Sequence, residues 1–242
     1  MASLDMSALK TPEKTSRRQE LRRNWLVQLY AQALLFYEEH RQLVHGLGVG
    51  LLALILAVPG YVYYQQQQTK QANEMLGQIL PVYEQGNYDQ ALNGAGQRAG
   101  LLTIADDYGS TAPGNLASFY AANALYEQGE YDRALTYFKR FDKGNNFIGA
   151  SAYAAEAAIY ENRGEMKKAA EHYEQAASQY ENKLTAPRYL VEAGQAYEEA
   201  GSYAAAEQVY QQVKSEYPDS DQAEEVDRYL ARVKARQASS AS

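Results

Sequence analysis

The residues in this chain whose types could do chemistry are few and scattered. The three histidines, His40, His45 and His172, are scattered and form no cluster with carboxylates of the kind that holds zinc or iron. There is no cysteine, hence no thiolate, disulfide or lipid-modified cysteine, and stability must come from packing. Asp106 and Asp107 close a helical stretch before Gly109, where adjacent carboxylates are solvated rather than set for proton transfer. No glycine-rich phosphate loop follows a strand, because no strand pattern is present. AEEVD at 223–227 imitates a tail motif read by chaperone-binding repeat domains, but it is internal and continues into Arg228. This inventory predicts no enzyme, no metal, no cofactor and no small-molecule substrate. What remains is surface.

The elements that shape that surface repeat. YEQGNYDQAL, Tyr83 to Leu92, and YEQGEYDRAL, Tyr126 to Leu135, agree at eight of ten positions. Looser copies begin at Tyr160 and Tyr197, and the shared glycines Gly86, Gly129, Gly164 and Gly201 stand 43, 35 and 37 residues apart. In YLVEAGQAYEEAGSYAAAEQVYQQVKSEYP, Gly194, Tyr197, Gly201, Tyr203, Ala206, Tyr210 and Pro218 alternate small and large at helical spacing. Gly201 can take the left-handed conformation that ends one helix before the next, Ala206 leaves room for a neighbour, and Pro218 stops the second helix. One such hairpin cannot bury both faces, so hairpins must stack.

These positions resemble the tetratricopeptide repeat, whose unit of about 34 residues carries the same order of small and aromatic places. Ala122, Leu125, Gly129, Tyr131, Ala134 and Phe138 fill them in the second unit, and Ala157, Tyr160, Gly164, Met166, Ala169 and Tyr173 in the third. The first unit keeps Val82, Gly86, Tyr88 and Ala91, but Gly94, Gly96 and Gly100 crowd its second helix, which predicts a lengthened helix and an irregular loop over Tyr108 to Asn115. DSDQAEEVDRYLARVKAR reads as a capping helix started by Asp219 or Ser220, and QASSAS as a frayed tail. The resemblance implies that the first helix of each pair lines a concave groove for a protein segment. Phe119, Asn123, Tyr126, Glu127, Glu161, Arg188, Gln195 and Glu198 are the positions expected to face it.

Upstream, LVHGLGVGLLALILAVPGYVYY, residues 43–64, carries no Lys, Arg, Asp or Glu over 22 residues. About 20 helical residues cross a hydrocarbon core of about 30 Å, so the run predicts a transmembrane helix with Tyr61, Tyr63 and Tyr64 at one interface. A cleaved signal is the competing reading, against which stand the 42 residues before it and the lack of a small-x-small site after it. Gly46, Gly50, Ala53, Ala57 and Gly60 form a stripe of small residues on which another membrane helix could pack, although such residues are common in spans. Residues 1–41 hold seven basic residues and five acids, whereas 42–242 hold 16 basic and 25 acidic. That asymmetry predicts a cytoplasmic amino end and an extracytoplasmic remainder, periplasmic in a cell with two membranes. The acidic remainder also argues against nucleic acid as a partner. Leu21, Trp25, Leu26, Leu29, Ala33 and Phe36 predict an amphipathic helix before the span, with Arg17, Arg18, Arg22 and Arg23 near anionic lipid, and residues 1–15 read as disordered.

The expected architecture is therefore all-α. An N-terminal segment with an amphipathic helix, 1–42, precedes a transmembrane helix, 43–64, and a tetratricopeptide-repeat α-solenoid of about four repeats plus a capping helix, 65–242. Phe36, Tyr37, Glu38, Glu39 and Arg41 before the span, together with this layout, resemble the YfgM-like family of ancillary Sec translocon subunits, and the stretch from Asp106 to Leu135 resembles its Bacteroidota versions. The resemblance implies a single-pass protein of the bacterial inner membrane. Its implied partners are the Sec channel, a membrane-anchored periplasmic chaperone, exported clients and lipid. A scaffold of another envelope complex, in cell-wall synthesis, outer-membrane assembly or respiration, stays open.

Overall fold

The computed structural model describes residues 17–240, with side chains for Trp25 and from Val27 to Ser239. The segment expected to be disordered, 1–15, lies outside these residues, as do the side chains of Leu21, Leu26 and the four upstream arginines. Among the described residues there are eleven helices and no strand. The chain divides into two compact units, Met1–Tyr63 and Tyr64–Ser242.

The first unit contains α1, Arg17–Glu39, and the opening part of α2, Arg41–Glu84. At about 100° per residue, Trp25, Leu29 and Phe36 fall on one side of α1 while Val27, Tyr30 and Leu34 fall on the other, and all six are exposed. The single apolar face expected of an amphipathic helix is therefore not there: the stretch from Trp25 to Tyr37 holds too few polar residues to leave one side wet. The step from α1 to α2 is slight, since His40 N–H donates to Phe36 O and Val44 N–H to His40 O, both at 2.9 Å. α2 is long and apolar enough to cross a membrane, and none of its apolar window is buried. Pro59 lies within the helix without ending it, and no break separates the apolar run from the repeat helix that ends at Glu84.

The second unit is a run of helix pairs. The end of α2 turns into α3 (Tyr88–Asn93), α4 (Leu101–Tyr108) follows, then α5 (Ala112–Glu127) pairs with α6 (Tyr131–Arg140) and α7 (Phe147–Asn162) with α8 (Met166–Gln179). α9 (Ala186–Glu199) pairs with α10 (Tyr203–Glu216), and α11 (Asp221–Ser240) closes the stack. Each repeated glycine sits where a helix must reverse: Gly86, Gly129, Gly164 and Gly201 have φ of 74, 77, 72 and 71°. Around Gly201, Gly201 N–H donates to Glu198 O at 3.0 Å and Ser202 N–H to Tyr197 O at 2.8 Å, which satisfies carbonyls the helix end would leave bare. The following helix then packs antiparallel on the first, and α8 is covered by α7 on one side and α9 on the other.

The first helix of every pair runs in the same direction, because their closing ends meet. Tyr83, at the end of α2, feels the charge of Glu127, the last residue of α5; Tyr126 interacts with the Asn162 side chain at the end of α7; and Glu161 feels the charge of Glu199. These inner helices form one layer and the outer helices another.

The first pair departs from the expected lengthened helix. Its second helix is split, with α3 ending after six residues and α4 resuming at Leu101. Gly94 and Gly96 take φ of 106 and 65°, and a Cβ on Gly100 would stand 2.1 Å from Leu92 O, so these glycines permit a tight loop stitched by an Ala95–Arg98 backbone pair. The irregular loop expected over Tyr108 to Asn115 is also shorter. Thr111 Oγ1 accepts from Gly114 N–H at 3.1 Å, capping α5, and Pro113 occupies the first turn, where a missing N–H is harmless. At the far end Ser220 Oγ accepts from Ala223 N–H at 3.2 Å and starts α11, which continues through the segment expected to fray, as far as Ser240.

Core contacts follow the repeat positions. Ala122, Leu125, Ala134, Phe138, Ala157, Ala169, Ala206 and Tyr210 are fully buried. The closest approach is at Gly194, where an added Cβ would lie 2.3 Å from Tyr210 Cε1. Gly194→Ala is therefore expected to lower stability by about 1–3 kcal/mol through overpacking, checked by urea unfolding of detergent-solubilised protein followed by circular dichroism. A Tyr210→Ala partner change in the same background should recover part of that loss relative to the sum of the single effects.

Candidate protein-binding groove

The inner layer of α5, α7 and α9 carries the positions expected to face a groove, and the structure distributes them unevenly. Glu127, Arg188 and Gln195 are exposed. Phe119 is half-buried among Tyr120, Phe138 and Phe141, with ring centroids 5.7, 6.1 and 5.4 Å away, so most of it serves packing. Asn123 is half-buried and spends its amide on Phe119 O at 2.9 Å. Tyr126 lays its ring against Tyr131 at 5.4 Å.

Glu161 and Glu198 occupy one repeat position, three residues before Gly164 and Gly201, and meet different fates; the same position in the second pair is Tyr126. Tyr173, from the second helix of the third pair, donates its hydroxyl to Glu161 at 3.1 Å. In the fourth pair Tyr210 donates to Glu198 Oε1 at 2.8 Å, and Arg232 of α11 adds Nε to Oε2 at 2.8 Å and a terminal nitrogen to Oε1 at 2.6 Å. Glu198 is 4% exposed. It is thus an internal anchor for the capping helix and not a groove residue, because α11 covers it. In the second pair the facing residue is Phe138, which has no hydroxyl, and Glu127, one place beyond Tyr126, is exposed.

Electrostatics set the character of the middle of this face. Burial raises the Glu161 carboxyl above its ordinary range; the Tyr173 hydrogen bond partly offsets this and the nearby charge of Glu199 adds to it. Glu192, one helix further on, is likewise raised by burial and by Glu161, with Arg188 pulling the other way. That guanidinium stands 3.9 Å from Glu192 and also covers the Tyr189 ring at 4.9 Å. At the near end Tyr83 is pushed up to about 12 by burial and by Tyr88, Tyr120 and Glu127, so it remains a neutral hydroxyl. An aromatic wall on α5 thus adjoins a negatively charged stretch on α7 and α9.

Several polar groups escaped the sequence reading. Glu156, fully buried in the alanine-rich α7, holds Lys143 Nζ at 3.1 Å and His172 Nδ1 at 3.0 Å. Lys143 also donates to Phe138 O at 2.6 Å and lies over the Tyr153 ring at 4.9 Å, pinning the link between the second and third pairs. One sign of this cluster was present in the sequence: a lone acid inside YAAEAAIY. Asp106, expected to be merely solvated, pairs with Arg140 and accepts from Tyr137 Oη at 3.3 Å, while Asp107 is exposed. AEEVD lies within α11. A cleft of about 410 Å³ on the outer layer is lined by Glu171, Glu174, Glu181 and Glu216 above Leu190. Among the described residues no three His, Cys, Asp or Glu side chains are placed to hold a metal. The small residues Gly46, Gly50, Ala53, Ala57 and Gly60 fall within an arc of about 80° on α2, and a Cβ at Gly46, Gly50 or Gly60 would meet nothing.

Two measurements test these assignments. A carboxyl raised in the fold costs stability above its folded pKa, and that cost vanishes as pH falls below the unfolded value. Glu192→Gln should therefore stabilise by about 0.3–1 kcal/mol near neutral pH, solvent screening included, and by nothing below about pH 4, read from unfolding curves. For Glu198 burial acts upward, but the hydrogen bonds from Arg232 and Tyr210 outweigh it and hold the carboxyl below its ordinary range. Its contribution is present above the unfolded pKa and lost as pH falls through the folded one. Arg232→Met should cost about 1–3 kcal/mol at neutral pH, an amount reduced because Arg232 is half-exposed, and the variant should lose less on further acidification than the parent.

Comparison with known families agrees with this geometry. A model described as tetratricopeptide repeat-like domain matches residues 35–146, and one described as tetratricopeptide repeat matches residues 189–220. No curated protein matches the chain. The first match begins before the apolar run and ends beyond α6, and the second runs from within α9 through α10 and past the proline that follows. The chain is thus one that carries tetratricopeptide-repeat domains, modules whose general role is to bind other proteins.

Proposed function

We propose that the protein is a single-pass inner-membrane subunit whose repeat unit, in the periplasm, holds a chaperone or exported client beside the Sec channel. The observation that carries this reading is α2: one unbroken helix, Arg41–Glu84, begins as an exposed apolar run and ends as the first inner helix of the repeats. The matched repeat-like domain likewise includes the apolar run, which favours a retained anchor over a cleaved leader. The excess of basic residues before the run favours an amino end in the cytoplasm. For the groove, the features that favour a protein segment are the half-buried aromatics of α5 and the carboxylates Glu127, Glu161 and Glu192, flanked by Arg188 and Gln195. The small-residue arc offers a face on which a channel helix can approach closely in lipid.

The test is affinity capture after gentle detergent extraction, with partners identified by mass spectrometry. The unaltered chain should retain Sec-channel components and a membrane-anchored chaperone. Gly50→Leu with Ala53→Leu should lose the channel, and Tyr126→Ala with Glu127→Lys should lose the chaperone or client while keeping the channel. Retention of cell-wall, outer-membrane-assembly or respiratory proteins in place of the channel would establish the scaffold reading instead.

A further inference from the structure

In the unit Tyr64–Ser242, the large apolar side chains that stay exposed among the described residues are Tyr64, Phe147, Tyr180 and Leu184, at 58, 54, 38 and 84%. All four stand on one edge. Since the inner helices run in the same direction and meet at their closing ends, their starting ends share the opposite edge. Phe147 opens α7, Tyr180 and Leu184 lie in the link that leads into α9, and Tyr64 opens the portion of α2 that belongs to this unit. Gln179 Nε2 donates to Lys143 O at 2.6 Å, which draws the link after α8 against the one before Phe147.

The other edge, where the glycine turns lie, bears no exposed large apolar side chain among the described residues. It carries the ion pairs Arg133–Glu130, Arg163–Asp132 and Lys168–Glu165. Single exposed apolar residues are ordinary on any protein. Both edges carry charge, the first including the Asp106–Arg140 pair, but four exposed large apolar residues on one and none on the other mark a surface with two media in view.

We propose that the apolar edge rests in the headgroup layer of a lipid bilayer, with Phe147 and Leu184 reaching the acyl boundary. This rests on the membrane-spanning reading of the apolar run. Covalent continuity selects lipid over a protein occupant: the chain enters this unit at Tyr64, on this edge, directly from the residues that would lie in the hydrocarbon. The side chains match the role. Tyrosine rings favour the interface, where the ring is buried and the hydroxyl wet. Lys183, exposed beside Leu184, can lift its ammonium to phosphate while its neighbour inserts. The bilayer then stabilises the edge by direct burial of apolar area at the boundary.

Because the chain has no cysteine, single introduced cysteines give spin labels free of background. The full chain would be placed in nanodiscs of phosphatidylethanolamine and phosphatidylglycerol carrying Phe147→Cys, Leu184→Cys, Leu52→Cys, Asn162→Cys or Ala200→Cys, all exposed positions. Collisions with oxygen and with a water-soluble nickel chelate would be measured for each label. Labels at 52, 147 and 184 should favour oxygen, and those at 162 and 200 on the turn edge should favour nickel. Oxygen preference at 52 with nickel preference at 147 and 184 would overturn this inference alone and leave the span standing. Nickel preference at 52 would overturn both. Labels at 147 and 184 shielded from both reagents would mean a protein covers the edge, which also overturns it, as would lipid-like values on both edges.

Discussion

The repeat unit depends on how closely two helices can approach where one of them has almost no side chain. At Gly194 the backbone of α9 stands so near the Tyr210 ring that a methyl group would lie 2.3 Å from it. By repeat register the same crossing is made by Ala157 with Tyr173 and by Ala122 with Phe138, one methyl wider in each case. The small residue and the ring form one device: the first admits the second, and the ring fills the seam that two rods would otherwise leave open. A pair closed in this way still shows apolar residues on its flank. The next pair must cover them, and α11 ends the series by presenting Val226 and Val233 inward and charges outward.

The same repeat that builds the stack also varies what it displays. Glu161 and Glu198 share a place in the unit that Tyr126 fills in the second pair, and the two carboxylates differ, one meeting a single hydroxyl and the other buried and held by a hydroxyl and a guanidinium. Across the three units the change tracks two substitutions elsewhere: tyrosine against phenylalanine at the facing position, and a following helix that does or does not bring an arginine. The same position thus carries an aromatic ring in the second unit, a half-buried carboxylate in the third and the fastening of the cap in the last.

Much of this was legible before any coordinates, and the parts that were not share a cause. Helix pairs, turn glycines, the small-to-large seam, the capping helix and the apolar run each show in local spacing, because each rests on residues within one helix or one turn. Glu198, Asp106, Glu156, Lys143 and His172 did not show, since their meaning comes from partners 12 to 36 residues away on other elements, as with Glu198 and Arg232, 34 apart. The split of the first outer helix fell between the two cases. Gly94, Gly96 and Gly100 announced trouble, but whether three glycines lengthen a helix or break it was decided by the Ala95–Arg98 backbone pair and by the contact of Gly100 with Leu92. The single amphipathic face of α1 failed for a simpler reason: listing the residues that fit one face ignored Val27, Tyr30 and Leu34, which do not.

Tyrosine is what allows so acidic a chain to pack in this manner. With 22 tyrosines, one tryptophan and a formal net charge of −7, the protein has more carboxylates than cations to pair with them. Tyr173, Tyr197, Tyr210 and Tyr229 each donate a hydroxyl to a glutamate, and for the first three burial leads in raising the phenol, so all remain protonated donors at physiological pH. A neutral donor satisfies a carboxylate without cancelling its charge, as an arginine would. Helix interfaces can therefore store carboxylates while the unit keeps its negative field, which discourages anionic partners and draws cationic ones from a distance of about one Debye length. Where a cation is used internally, as at Arg232, it marks a place the chain has closed.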